Sequence, residues 1–379
     1  MCGPLCERYL PACAWRSHPA GHRALSDHDH GTCGRSLCHA GQYCGLDLHY
    51  RDDERMTVGR VDAEPPSAID EAHVLAAVQA LLRATLSAAP WPPALTEVTT
   101  AALTEPRRAL GGRLTPWVLF PLCCCAAACG EWRPALAAAA AAELYVAALD
   151  LCDDIEDGDH SVIVARYGLP IALNAATALL ALTHTVLQPA ASDGPGAAHR
   201  RAQDALWAGL AVATGGQHLD LSAAGDAPLS VEECLDIARR KGGALVEACC
   251  RAGAAFGTDN PALVGRCGHL GSSLGLLAQL DNDMHDAEDS RGKSDVTRLT
   301  QTVPIAIARR WRGQDTLDAA VWQGGIQLAY ALIHAERARA HEALADVAVL
   351  CPDPIFARAA LGLLLPSRGA VTDVTEASP

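Results

Sequence analysis

Long apolar segments built mainly from alanine and leucine are the feature that most restricts the fold of this chain. Hydrophobic residues make up 50% of its 379 residues, whereas aromatic residues make up only 4%. Alanine and leucine have high helix propensity, and the chain has little of the β-branched and aromatic content that favours strands. From Asp70 onward, apolar residues recur at helical spacing. The sequence therefore predicts an all-α fold.

The predicted helices are separated by short loops rich in glycine, proline and aspartate. With bounds given to within about 2–4 residues, they cover 70–88, 94–109, 115–129, 133–157, 170–188, 197–215, 230–255, 260–288, 302–311, 315–348 and 354–365. The chain contains no repeat of fixed period. We expect residues 69–366 to form one helical domain, followed by a disordered tail over residues 367–379.

Residues 1–68 differ in composition from the rest of the chain. Their first 55 positions hold six cysteines and six histidines and show no apolar periodicity. One interpretation is a zinc module, whose ligands would be Cys33, Cys38, His39 and Cys44. The paired CxxC spacing that makes such a site specific is absent. The favoured expectation is a disordered extension, or a spurious one if Met56 is the true first residue.

The charge and the apolar stretches exclude some classes of partner. A net charge of −14 disfavours nucleic acid, because no basic stripe is present to displace the counterions of phosphates. The apolar stretches 114–130 and 167–192 approach the ~20 residues of a membrane span, but prolines interrupt both. We expect core helices there and no membrane span. No basic segment followed by an apolar one opens the chain, so no signal peptide is predicted.

The sixteen cysteines are distributed unlike those of a disulfide scaffold. Cys123, Cys124 and Cys125 are consecutive, and Cys249 and Cys250 are adjacent, all within predicted helices. In such positions cysteine behaves as a small hydrophobic residue. This distribution predicts a reducing, cytoplasmic environment.

Two acidic clusters each follow a long apolar helical segment. The first is "LDLCDDIEDGDH" at 149–160, and the second is "QLDNDMHDAED" at 279–289. On a helix, Asp153 and Asp157 share one face, since they are four residues apart. Like charges at this spacing cost only a few tenths of a kcal/mol when exposed. Each cluster alone could therefore be a solvated helix end.

Two clusters of the same pattern favour a second interpretation. In the second cluster Asn282 and Asp286 are also four residues apart, with Asp283 beside Asn282. If the two helices face each other across a bundle, their oxygens form a cage suited to Mg²⁺. This ion takes one or two carboxylates and fills its other positions with water and substrate phosphates. The pattern thus predicts a diphosphate held between Mg²⁺ ions.

Residues 111 to about 310 resemble the trans-polyprenyl diphosphate synthases, members of the class I isoprenoid synthases. The resemblance implies an all-α helical bundle around a deep apolar cavity, with Mg²⁺ at its mouth. Six motifs carry it in order: "GGRLTP" at 111–116, "ELYVAALDLCDDIED" at 143–157, "GGQHLDL" at 215–221, "KGGALVEACCRAGAAFG" at 241–257, "LGLLAQLDNDMHD" at 274–286 and "GKSDVTRLTQTVP" at 292–304.

The resemblance implies a role for each matching residue. The implied metal ligands are Asp153, Asp154, Asp157, Asn282, Asp283 and Asp286. The implied substrate-binding residues are Arg113, Lys241, Lys293, Gln217, Gln279, Ala148 and Leu149. Of these groups, the expected catalytic residues are Asp153, Asp154, Asp283 and Lys241. The two lysines match those that hold the allylic diphosphate, and the two glutamines match polar positions lining the cavity. Asn282 departs from the family, which usually has Asp there, and Asp281 is turned about 100° from that face.

The positions that would hold a second substrate, isopentenyl diphosphate, have lost most of their basic residues. Gly112 and Thr300 stand where lysines are expected, and Val146 stands where a histidine is expected. After Asp159, Arg166 is the only basic residue where the family has an Arg-Arg-Gly run. Losing these charge-assisted donors should cost several kcal/mol of diphosphate binding. The sequence predicts ionisation of an allylic diphosphate without addition of isopentenyl units.

The leading expectation is therefore a terpene synthase that ionises a prenyl diphosphate and cyclises or terminates the cation. Ala148 and Leu149 provide no bulky floor, which predicts a substrate of fifteen carbons or longer. One alternative is a prenyltransferase, either chain-elongating or acting on another acceptor. Another is a non-catalytic subunit of a heteromeric synthase, although the retained metal motifs count against it. We expect three Mg²⁺ ions per site and a homodimer.

Overall fold

A computed structural model describes residues 70–109, 115–158, 161–189, 196–223, 229–289, 302–312 and 319–365. These residues form helices and no strand, which confirms the predicted all-α class. The helices are α1 Glu71–Ala88, α2 Pro93–Ala109, α3 Pro116–Cys129, α4 Leu136–Glu156, α5 Val162–Tyr167, α6 Leu169–Val186, α7 Ala197–Ala223, α8 Val231–Ala238, α9 Ala244–Gly257, α10 Pro261–Asp289, α11 Val303–Arg312, α12 Ala319–Leu350 and α13 Pro354–Gly362. The N-terminal extension and the C-terminal tail proposed from the sequence lie outside the described residues, and so do Arg113 and Lys293.

Helix α4 lies at the centre of the larger of two hydrophobic cores. Its residues Ala138 to Ala142 have no exposed surface, and it packs mainly against α6 and α3. Alanine side chains are short, so neighbouring helices can approach α4 closely. Two turns inside this helix, Glu143 accepts a hydrogen bond from the hydroxyl group of Thr115, which satisfies an otherwise costly buried acid.

Helix α10 connects the two cores and carries the second acidic cluster. Leu270 and Leu274 belong to the larger core, whereas Leu277 and Leu280 belong to a smaller core formed with α8, α11 and α12. A single 29-residue helix therefore connects the second cluster to both cores.

Glycines bring the helices around α9 into backbone contact. A Cβ atom at Gly253 would clash with the carbonyl oxygen of Pro121 in α3. A Cβ atom at Gly242, just before α9, would lie 2.8 Å from the carbonyl oxygen of Gly275 in α10. Only glycine permits such approaches without displacement of a helix. The packing of α9 between α3 and α10 depends on these two positions.

The thiols predicted to act as small hydrophobic residues lie in this packing. Cys123, Cys124, Cys125, Cys249 and Cys250 are all buried and free. Burial raises the pKa of Cys249 to about 12, so this thiol stays protonated and apolar.

Two described helical segments have the length and hydropathy of a membrane span. The segment Arg133–Glu156 has 72% of its most apolar window buried within the fold, and Leu169–Val186 has 39%. Core helices of soluble proteins meet the same criterion, so the finding is weak evidence for a span.

Three helix boundaries differ from those predicted. The segment 230–255 is not one helix, because a π-helical turn over Arg239–Gly243 separates α8 from α9. Helix α7 continues to Ala223, past residue 215 where it was predicted to end, and Gly216 packs against the backbone of Lys241. The short helix α5, capped by Ser161, was not predicted.

We expect Gly253→Ala to lower the free energy of unfolding by about 1–3 kcal/mol or more, because the added methyl group separates α9 from α3. The matched control is Gly265→Ala in α10, where a Cβ atom would meet no atom within 4 Å. That control should stabilise the protein by about 0.5–1 kcal/mol through helix propensity. Chemical denaturation of both variants measures the difference. Equal stabilities would show that the α3–α9 contact is not as close as described.

Candidate functional site

The carboxylates of the first acidic cluster lie at the C-terminal end of α4. Asp153 and Asp154 are half-buried, and Asp157, just after the helix, is exposed. The C-terminal end of a helix carries a partial negative charge, which adds to the mutual repulsion of these acids. The combined negative potential favours a cation at this end of α4.

Among the described residues, Lys241 is a cation that lies beside the first acidic cluster. Its Nζ atom donates a hydrogen bond to Asp220 Oδ2 at 2.6 Å and lies 3.9 Å from Asp153 Oδ1. Burial alone would lower the pKa of Lys241, but the charges of Asp153, Asp220 and Asp157 together raise it above its usual value. Lys241 therefore stays positively charged between α4 and α7.

The π-helical turn over Arg239–Gly243 positions Lys241 between α4 and α7. A Cβ atom at Gly216 in α7 would lie 2.9 Å from the backbone nitrogen of Lys241, so α7 and the turn are in close contact. On its other side the turn touches α10 through Gly242 and Gln279. Single-turn π segments within α-helices are frequent at functional sites. Here the turn brings α4, α7 and α10 together around one ammonium group.

The three predicted metal ligands of the second acidic cluster lie in different surroundings. Asp283 is 8% exposed and accepts hydrogen bonds from Gln279 Nε2 at 3.1 Å and from the backbone nitrogen of Val303 at 3.4 Å. It thereby anchors the N-terminus of α11. Asn282 is half-buried, and the side chain of Asp286 lies outside the described part of the structure. The role of Asp283 as a metal ligand remains a prediction.

Two glutamines have buried polar atoms that lack partners. Among the described residues, neither amide atom of Gln217 has a hydrogen-bond partner, and the same holds for the Oε1 atom of Gln279. Buried polar groups are nearly always satisfied, so a ligand that supplies the missing bonds is a natural explanation. Both side chains lie beside the π-helical turn, next to Gly216 and Gly242 respectively.

Of the two residues expected to form the floor of the cavity, only Leu149 retains accessible surface. Ala148 has no exposed surface and is packed within the larger core, so it lines no accessible space in this structure. Leu149 is half-buried and retains accessible surface. The neighbouring Tyr145 is fully buried, and its hydroxyl group donates to the carbonyl oxygen of Leu206 at 3.3 Å. Of the two predicted floor residues, Leu149 therefore has the better position.

Sequence reasoning missed two acidic residues of the site. Asp220, which bonds Lys241, was quoted within a motif but given no role. Asp150 stands three residues before Asp153 and four before Asp154, on the same face of α4. Burial, together with the charges of Asp153, Asp154 and Glu143, raises the pKa of Asp150 well above its usual value. The i, i+3, i+4 spacing was a signal that could have identified it.

The donors of the first cluster suit Mg²⁺ in chemistry, although they form no complete site by themselves. Among the described side chains, no group of three His, Cys, Asp or Glu residues is close enough to hold an ion. This arrangement agrees with an ion that takes one or two carboxylates and completes its shell with phosphate and water. The accessible oxygens at the end of α4, beside Lys241, are of the required kind.

Comparison with solved structures supports the fold. Over 78% of this chain and 98% of the other, a polyprenyl synthetase from Streptomyces coelicolor A3(2) is 21% identical with a TM-score of 0.59. A geranylgeranyl pyrophosphate synthetase from the archaeon Geoglobus acetivorans is 20% identical, with a TM-score of 0.56, over 78% of this chain and 99% of the other. A polyprenyl synthase from Caulobacter crescentus CB15, complexed with calcium and isoprenyl diphosphate, is 20% identical with a TM-score of 0.55, over 77% and 93%.

Comparison of sequences identifies the family. No curated protein matches the chain. The sequence profile of the polyprenyl synthetase family, however, matches residues 107–323, which is more than half of the chain and includes both acidic clusters and Lys241. Since the profile match and the resemblance of the six motifs agree, the chain is an enzyme that belongs to the polyprenyl synthetase family.

Proposed function

We propose that this enzyme ionises an allylic prenyl diphosphate and transfers the prenyl group to an acceptor. The observation that carries the proposal is the position of Lys241, a buried cation held between Asp220 and the first acidic cluster. Departure of a diphosphate requires positive charge near its oxygens. Lys241 supplies one such charge, and the neighbouring carboxylates would bind metal ions that supply more.

Residues of both acidic clusters would hold Mg²⁺ in this proposal. They are Asp153, Asp154, Asp157, Asn282, Asp283 and Asp286. When bound, the ions would neutralise charge on the departing diphosphate as Lewis acids. The C1–O bond breaks, and its electron pair leaves with the diphosphate. Lys241 stabilises the charge on that group. Gln217 and Gln279 are proposed to line the pocket beside it, where Gln217 Nε2 can donate a hydrogen bond to a diphosphate oxygen.

Prenyl transfer replaces cyclisation as the leading function because the family match favours a transferase. The acceptor is proposed to be something other than isopentenyl diphosphate. Val146, where the resemblance implies a histidine for that substrate, is a buried aliphatic side chain with 4% exposure and cannot bind a phosphate. The same observation keeps a cyclising terpene synthase as the second candidate, since such an enzyme needs no second diphosphate.

The proposed location is the cytoplasm, and the proposed assembly is a homodimer. Free thiols at all described cysteines support a reducing compartment. The outer faces of α6 and α7 support self-association, because α6 and residues 205–219 of α7 contain no Asp, Glu, Lys or Arg. Leu173 on α6, and Val212 and Leu219 on α7, are each more than 40% exposed. An isologous contact between two copies would cover these faces.

Metal dependence tests the first cluster. Asp153→Asn and Asp154→Asn should each lower kcat/KM by about 100-fold or more, because the charge that holds cations on the diphosphate is removed. Their stability should be unchanged or slightly higher, since repulsion is relieved. Chelation should abolish turnover, and added Mg²⁺ should restore it. The control is Glu156→Gln, an exposed acid at the end of the same helix, which should retain wild-type activity. Wild-type activity in either Asp variant would contradict the proposed role of the cluster.

The choice of substrates tests the reaction. Geranyl, farnesyl and geranylgeranyl diphosphates should be incubated with the purified enzyme and Mg²⁺, with and without isopentenyl diphosphate. We expect the fifteen- and twenty-carbon substrates to be consumed fastest and isopentenyl diphosphate to leave the rate unchanged. Leu149→Phe should shift the preference towards geranyl diphosphate, because overfilling the pocket costs about 1–3 kcal/mol.

Two kinds of product in this assay would contradict the proposed reaction. Longer prenyl diphosphates formed with isopentenyl diphosphate would show a chain-elongating synthase and overturn the proposal about the acceptor. Cyclic hydrocarbons formed without any acceptor would show a terpene synthase and overturn prenyl transfer.

The assembly can be tested by light scattering. The wild-type chain should have twice the mass of one copy, and Leu173→Glu combined with Val212→Glu should reduce it to one copy, because charges would be buried unpaired. Ile355→Glu is the control, since this residue is 84% exposed and lies on α13, away from the proposed faces. A wild-type monomer, or a dimer unaffected by the double substitution, would exclude this interface.

A further inference from the structure

Lys241 is bound more closely to Asp220 than to the first acidic cluster. Its Nζ atom lies 2.6 Å from Asp220 Oδ2 but 3.9 Å from Asp153 Oδ1. The first distance is that of a charge-assisted hydrogen bond, whereas the second is too long for any hydrogen bond. Lys241 therefore donates to Asp220 and is only a charged neighbour of Asp153.

Contact between α7 and the π-helical turn determines the position of Asp220. Gly216 precedes Asp220 by four residues, so the two lie on one face of α7. A Cβ atom at Gly216 would lie 2.6 Å from the Cβ atom of Arg240 and 2.9 Å from the backbone nitrogen of Lys241. The face of α7 that carries Asp220 therefore packs directly on the segment that carries Lys241. Asp220 lies beyond residue 215, where the sequence predicted this helix to end, so the additional turns of α7 supply the carboxylate.

Without the carboxylate of Asp220, the ammonium group of Lys241 would bind Asp153. Its Nζ atom would need to move by only about 1 Å to form a charge-assisted bond of ordinary length. The four-carbon stem of lysine is flexible enough for this movement. The side chains of Lys241 and Asp153 are only 13% and 28% exposed, so dissolved salt would screen their attraction little.

A lysine bound to Asp153 would compete with Mg²⁺ for that residue. The ammonium group would occupy a lone pair of the carboxylate, and its charge would repel a doubly charged ion placed beside it. Asp220 offers the ammonium group a different carboxylate, on a helix that carries none of the predicted metal ligands. Two acids next to one lysine can therefore have separate roles.

We propose that Asp220 is a positioning residue that holds the ammonium group of Lys241 away from Asp153, so that Asp153 can bind Mg²⁺. The inference rests on the proposed function, since it concerns the metal binding of that reaction. In this role Asp220 contacts neither the metal nor the reacting carbon, and it acts through Lys241 alone.

Asp220→Asn tests this role in the full chain, because it removes the charge with little change in volume. Mg²⁺ is added at a fixed concentration of inorganic diphosphate, and the rise in melting temperature reports binding to the folded protein. We expect the Mg²⁺ concentration that gives half of the maximal rise to increase by about 10–100-fold, the usual effect of losing a residue that orients a metal site. Asp220→Glu, which retains a carboxylate, should lie closer to the wild type.

The matched control is Asp236→Asn. Asp236 forms an ion pair of 2.7 Å with Arg240 of the same π-helical turn, and both side chains are about half exposed. Its loss removes an acid of the same type without changing the surroundings of Lys241. The Mg²⁺ concentration at half of the maximal rise should therefore match that of the wild type, and a shift as large as that of Asp220→Asn would overturn the inference.

Turnover of farnesyl diphosphate provides a second readout. Asp220→Asn should need more Mg²⁺ but should recover a kcat close to that of the wild type at saturating Mg²⁺, because excess metal displaces Lys241 from Asp153. Asp153→Asn should not recover in this way, since the charge that binds the metal is gone. A loss of kcat in Asp220→Asn that excess Mg²⁺ does not restore would contradict the proposed role.

A double substitution shows whether Asp220 acts through Lys241. In a Lys241→Gln background no ammonium group remains to be held, so adding Asp220→Asn should leave Mg²⁺ binding unchanged. An equal loss of Mg²⁺ binding in both backgrounds would show that Asp220 acts on the metal directly, and would overturn the inference. Wild-type Mg²⁺ binding in Asp220→Asn alone would also overturn it.

The same measurements separate this inference from the proposed function. If Mg²⁺ and diphosphate do not raise the melting temperature of the wild type, the role of Asp220 fails together with the metal site. If the wild type binds both but consumes no prenyl diphosphate, the proposed function fails, whereas the effect of Asp220 on Mg²⁺ binding still decides the inference.

Discussion

Repulsion among the carboxylates at the end of α4 is the constraint on which the arrangement of the site depends. Two unit charges 4 Å apart interact with about 4 kcal/mol at an effective dielectric constant of 20, and the negative end of the helix adds to this cost. Lys241, 3.9 Å from Asp153, supplies one compensating positive charge. Cations that arrive with the substrate would neutralise further negative charge on these acids. An incomplete site of this kind binds metal and diphosphate together better than either alone.

The position of Lys241 follows from how closely the helices pack. The alanines of α4 and the glycines at 216, 242 and 275 remove side-chain volume where α4, α7, the π-helical turn and α10 meet. With larger residues there, the helices would stand further apart and the ammonium group could not reach both Asp220 and the first cluster. The close packing of small residues in the core therefore determines where the charged groups of the site lie. This explains why so much alanine accompanies so much acid in one chain.

The sequence was sufficient to predict the class of fold and the family, because both depend on features that are local or ordered along the chain. Helical periodicity and the order of six motifs survive at about 20% identity to solved structures. Contacts between distant segments were not predictable in the same way. The anchoring of α11 by Asp283, the burial of Ala148 and the π-helical turn at Lys241 each depend on which helix lies opposite, and helical phase along one segment does not contain that information.

Asp150, a half-buried acid that accepts no hydrogen bond from the described residues, shows what such a group costs the fold. A carboxyl group without a hydrogen-bond partner costs a protein about 1–3 kcal/mol relative to a satisfied one, and an apolar residue at this position would remove the cost. Glu143 is buried on the same helix but is satisfied by Thr115, so α4 can carry an acid at depth without loss when a partner is provided. The contrast between these two acids shows how a single hydrogen-bond partner decides the cost of a carboxyl group on this helix.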